Sequence, residues 1–116
     1  MSELLNKYID LAIKHGEFIL AGDSTNANKI HKKIMSLVPK IKNNKTLHEL
    51  YFKLLEHDNE SVRIWTAVEL SNTFREDVIK ILKEIEKKDS IHGLTAIGSI
   101  DMINRGMIKK DNWKND

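Results

Sequence analysis

The chain has 116 residues, with 19 basic and 17 acidic side chains for a net charge of +2, and it contains no cysteine. That is one domain's worth of chain, and 41% hydrophobic with 31% charged residues is the balance of a folded protein with a real core. The missing cysteines exclude a disulfide scaffold, a thiolate metal site and a cysteine nucleophile, and no apolar run approaches the roughly 18 residues of a membrane span.

Helical periodicity runs through the chain, and no segment alternates strictly. Two helices are expected first, over Ser2 to Ala21 and Ser24 to Leu37, divided by "AGDSTN" and with the second closed by the only proline, Pro39. In "TLHELYFKLLEH" the set Leu47, Leu50, Tyr51, Leu54 and Leu55 follows the spacing of one helix face. Thr46 with Glu49 reads as its capping box, in which hydroxyl and carboxylate satisfy two otherwise orphaned amides. A more apolar helix opens at Val62 in "VRIWTAVEL". "REDVIKILKEIEKK" follows, apolar at Val78, Ile81, Leu82 and Ile85, with Thr73 and Glu76 as a second capping box. The last helix, in "SIHGLTAIGSIDMINRG", is apolar at Ile91, Leu94, Ile97, Ile100 and Ile103, and Gly106 is placed to end it as a left-handed cap. The start, "MSELLNKYIDLAIKHGEF", is too broken by charge for a secretory leader, so a cytoplasmic protein is expected. Nothing marks a linker, so residues 1–106 are expected to form a single helical domain and residues 107–116, "MIKKDNWKND", a flexible tail.

The chain also repeats weakly. "VRIWTA", Val62 to Ala67, and "IHGLTA", Ile91 to Ala96, each follow an Asp-containing turn and open a more apolar helix. With its double leucine, acidic turn and Val-Arg, "LLEHDNESVRIWTAVEL" resembles a HEAT repeat. From about Leu4 to Gly106, including "GDSTNANKIHKKI", the chain also resembles a small bacterial HEAT-like or armadillo-like helical family of unknown function. The resemblance implies an all-α fold, a short α-α superhelix of about six antiparallel helices. It further implies that Asp58 and Arg63 form a structural pair, as the turn Asp and second-helix Arg of such repeats do. His92 stands at the matching place in the next unit, a departure that breaks a continuous ladder.

Residues that could carry chemistry are sparse. His15, His31, His48, His57 and His92 form no i,i+4 pair and no HExxH pattern, so they read as surface or cap histidines and no metal is expected. Ser61, Ser71, Ser90 and Ser99 lie in no nucleophile elbow, and the five glycines make no phosphate-cradling loop. No catalytic residue and no cofactor is expected. Trp65 reads as core or as an aromatic anchor, Phe52 falls off the apolar face of its helix, and Trp113 could dock on the body or on a partner, so these three are the candidate partner contacts. Lys29, Lys32, Lys33, Lys40, Lys42 and Lys45 form a run of six lysines without an acid, read either as a solvated face or as a set of phosphate contacts. Only Arg63, Arg75 and Arg105 supply the bidentate fork that reads bases, which weighs against a sequence-specific nucleic-acid reader.

The expectation is therefore a non-catalytic protein-binding module of immunity or adaptor type, monomeric or weakly dimeric, with a toxin among the candidate partners and no membrane contact. The alternative is a nucleic-acid-binding module using the lysine run.

Overall fold

The computed structural model describes residues 2–88 and 90–114. The chain is all-α, and the described residues contain no strand. They form six α-helices: α1 Glu3–Leu20, α2 Ser24–Lys42, α3 His48–Phe52, α4 Glu60–Glu69, α5 Arg75–Glu86 and α6 Ile91–Asn104. Short 3₁₀ turns occupy Lys45–Leu47 and Lys53–Glu56. None of these helices is long and apolar enough to cross a membrane. The helices gather into two compact units, Met1–Lys53 and Leu54–Asp116, where the sequence reading has one domain over 1–106. The division falls inside the second 3₁₀ turn, a place with no glycine or proline to mark it.

In the first unit α1 and α2 form a helical hairpin. Ser2 caps α1 by accepting from the Leu4 amide. Gly22, at φ 72°, ends it: the Gly22 amide donates to the Ile19 carbonyl and the Asp23 amide to that of Phe18, a Schellman closure. Asp23 at once caps α2, accepting from the Asn26 amide at 3.1 Å. That bond and one from the Asn26 side chain hold the Asp23 carboxyl below its ordinary 3.8. The contribution is present above that value and fades as pH falls through the lowered one. The facing sides bury Leu5, Tyr8, Leu11 and Ala12 of α1 and Ala27, Ile30, Ile34, Leu37 and Ile41 of α2. Tyr51 of α3 is tied to Tyr8, its hydroxyl donating across 3.1 Å with the rings edge to face.

Expectations fail at two places in the chain before α4. Pro39 does not close α2, which continues to Lys42. A proline in a helix leaves the carbonyl four residues earlier without a donor, here that of Met35. Met35 and Pro39 are both exposed, so water can serve that carbonyl. The helix expected over Thr46 to His57 is instead one short α-helix between two 3₁₀ turns. Its capping box does not form, because the Thr46 hydroxyl donates to the Asn44 side chain at 2.6 Å. Tyr51, Leu54 and Leu55 are buried as expected, and Leu50 is exposed.

The second unit packs α4, α5 and α6 together. Asn59 caps α4, accepting from the Ser61 and Val62 amides. The helix buries Val62, Ile64 and Ala67, and Leu70 beyond its end is also enclosed. The amphipathic reading of α5 holds: Val78, Leu82 and Ile85 are fully enclosed. Its expected capping box fails, since the residue before the helix is Phe74, with no side-chain cap, and the Thr73 hydroxyl serves elsewhere. Ser90 caps α6, and Gly106, at φ 70°, closes it with amide bonds from Gly106 to Ile103 and from Met107 to Met102, as expected.

Candidate functional site

The face that α6 buries is not the one its isoleucines mark. Ile91, Leu94, Ile97, Ile100 and Ile103 are spaced strictly by three, and each such step falls about 60° short of a full helical turn. From Ile91 to Ile103 the stripe therefore winds roughly 240° around the helix and cannot share one side. Only Ile103 at its far end is buried. The side turned to the core carries the small residues Gly93 and Ala96, which let α6 approach closely. A Cβ on Gly93 would lie inside the van der Waals surface of the Lys88 carbonyl oxygen, so α6 begins against the backbone that ends α5.

The consequence is an exposed apolar surface. Leu94 is 69% exposed, Ile97 47% and Ile91 43%, with Met102 and, beyond the helix, Met107 also open. Leu94, Gly98 and Met102 succeed one another at intervals of four, so they lie along one line of the helix. A Cβ built on Gly98 meets nothing within 4 Å, leaving a shallow, smooth centre to the patch. Its edge is polar: Asp101 and Arg105 pair across 3.1 Å, and Arg75 of α5 donates to the Asn104 side chain at 3.0 Å. Beside them an open groove of about 360 Å³ is lined by Arg75, Lys80 and Lys83 with Glu76, Ile79 and Asn104. An apolar centre with a charged rim is the layout of a protein-contact surface.

Of the predicted contacts, Phe52 is half-buried at the end of α3, its ring 6.0 Å from that of His48, and Trp65 is half-buried on α4. Trp113 is 2% exposed, which corrects the expected flexible tail over its described part, residues 107–114, and removes Trp113 from the set available to a partner; positions 115 and 116 lie outside the described residues. The chain after α6 turns back onto the connection between α4 and α5. The Trp113 amide donates to the Thr73 hydroxyl at 2.9 Å, and the Asn72 side chain donates to the Lys110 carbonyl. Lys114 sits 4.6 Å over the Phe74 ring, and Lys110 reaches Glu69 at 3.5 Å.

Glu69 is 8% exposed, and burial raises its carboxyl above the ordinary 4.5, opposed chiefly by the charge of Lys110. A raised carboxyl binds its proton more readily in the folded chain, so its contribution favours folding at acid pH and declines as pH rises from 4.5 through the folded value. Glu69→Gln removes that titration. Melting temperatures measured across this range should show wild type losing ground against the variant as pH rises, and a constant difference would contradict the assignment.

The pair expected from the repeat pattern is not formed: no ion pair joins Asp58 to Arg63. Asp58 is exposed in the turn before α4, while Arg63 is half-buried with its Nε enclosed. Both line an open cleft of about 520 Å³ with Asn59, Glu60, Lys88 and Ser90. At the position matching Arg63 in the later unit, His92 faces the Ser61 hydroxyl at 3.4 Å.

Other histidines also have local partners. His48 Nε2 meets the Lys42 carbonyl at 2.6 Å, His57 Nδ1 accepts from the Asn59 amide, and the rings of His15 and His31 lie 6.3 Å apart. Among the described residues no three His, Asp or Glu side chains converge as a metal would require. On α2, Lys29, Lys32, Lys33 and Lys40 are exposed, as is Lys45 in the following 3₁₀ turn, and Lys42 is half-buried.

Sequence reasoning did not single out Ile91, Leu94 and Ile97 as contact residues, marking them only as apolar positions of the last helix. The drift of a strict three-residue spacing, with glycine and alanine on the opposite side, was the signal that could have exposed them. No family model, curated protein or solved structure matches the chain.

Proposed function

We propose that the chain is a non-catalytic protein-binding module whose contact surface is the exposed side of α6. The observation that carries this reading is the exposure of Leu94, Ile97 and Ile91 on one well-formed helix. Water contact with large aliphatic side chains is costly, and a partner that covers them recovers that free energy. The cationic groove beside the patch favours a partner with acidic residues around an apolar spot. The likeness of Leu54 to Leu70 to a HEAT repeat supports the same reading, since such repeats work through surface rather than chemistry. Its proposed setting is the cytoplasm, and its concrete role that of an immunity-type or adaptor protein.

The test is quantitative capture from the source lysate, after nuclease treatment, with wild-type protein and a Leu94→Glu/Ile97→Glu variant. Both positions are exposed, so the variant should fold and melt within a few degrees of wild type. A stoichiometric protein retained by wild type and lost by the variant is the expected result. Equal recovery by both would refute the assignment of this surface.

A further inference from the structure

We propose that the exposed edge of α2 is a second, independent contact surface, which binds the phosphate backbone of nucleic acid without regard to sequence. No aspartate or glutamate occurs between Ser24 and Lys42. Lys29, Lys32, Lys33 and Lys40 fall within an arc of about 100° on this helix. All four are exposed, while the opposite face is buried through Ala27, Ile30, Ile34, Leu37 and Ile41. None of the four makes an ion pair with a described residue. Asp23, at the helix start, is the carboxylate that feels Lys29.

Like charges three and four residues apart, as in Lys29 with Lys32 and with Lys33, oppose helix formation. The arrangement is relieved when an anionic partner lies along it. From Lys29 to Lys40 the edge runs about 16 Å, against roughly 3.4 Å of axis per phosphate on one strand, so it spans about five phosphates. Lysine offers a point charge rather than a fork, and no arginine lies on the edge, so its chemistry suits backbone and not bases. A helix lying on a membrane needs open apolar residues beside its lysines. Here the apolar face is enclosed, and Met35 is the one large apolar side chain of α2 left exposed. Protein interfaces, for their part, are depleted in lysine.

The experiment is fluorescence anisotropy with a labelled duplex of scrambled sequence, titrated with the full chain at several salt concentrations. Four contacts predict a slope of log affinity against log salt of roughly −3.6. Lys32→Glu/Lys33→Glu should weaken binding at least about tenfold at low salt and flatten the slope by about 2. Lys32→Gln/Lys33→Gln should fall between, and it carries the comparison if the charge-reversed variant melts early. Lys87→Glu/Lys109→Glu, the same charge change at exposed positions of the other unit, should bind as wild type does. Absence of salt-dependent binding, or equal weakening by the Lys87/Lys109 variant, would overturn the proposal. So would displacement of the duplex by polyglutamate at equal charge, which would assign the edge to an acidic protein. Preferential retention on anionic vesicles would overturn it in favour of a membrane.

Discussion

Gly93→Ala is expected to destabilise the fold strongly for the addition of a single methyl group. The added Cβ would meet the Lys88 backbone, which cannot rotate away as a side chain could, so α6 must shift off α5. Overpacking of this kind costs about 1–3 kcal/mol, and alanine's better helix propensity returns only part of it. At roughly 4 °C per kcal/mol, the melting temperature should fall by several degrees. Gly98→Ala is the internal control. The same substitution, on the same helix, meets nothing within 4 Å and should stabilise by about 0.5–1 kcal/mol through propensity alone. Thermal melts of the two variants beside wild type check both signs together. If both shifted the same way, the close approach of α6 at Gly93 would be wrong.

Trp113→Ala should release the segment that follows α6. A buried aromatic truncated to alanine costs about 3–5 kcal/mol in a core. This segment is terminal and can leave while the helices stay folded, so the global loss should be smaller, about 1–3 kcal/mol. Amide exchange separates the two effects. Protection at position 113, whose amide donates to Thr73, should collapse in the variant, while the amides of α4 and α5 stay protected. Trp113→Phe should fall between, because it keeps most of the buried apolar area. Unchanged stability and unchanged exchange would mean that the segment is not held by Trp113.

These two sites also mark how far the sequence could be read. The hairpin of α1 and α2 and the amphipathic α5 were legible because charge and apolar residues separate cleanly on 3.6-residue periodicity. The end of α6 was legible because glycine at positive φ is a local signal. Other features depend on partners that a local pattern does not contain. Thr73 has the spacing of a capping residue, yet its hydroxyl holds the Trp113 amide 40 residues away. The segment from Lys45 to Glu56 keeps helical spacing in its apolar residues while its backbone tightens at both ends into 3₁₀ turns. Asp58 and Arg63 were paired on the strength of a repeat pattern, and the turn leaves them apart. The exposed side of α6 was not legible from its apolar positions, because their spacing of three winds around the helix instead of marking one face. The exposed lysines of α2 were legible from the sequence, and their alignment on one edge follows from the continuation of the helix through Pro39.

The measurement that tests the central claim most directly is site-specific photo-crosslinking in the source cells. Leu94 would be replaced by benzoylphenylalanine in one strain, and Glu84, on the exposed side of α5, in another. Binding through α6 predicts one discrete protein adduct from position 94 and none from position 84. No adduct at 94, or the same set of adducts from both positions, would contradict it.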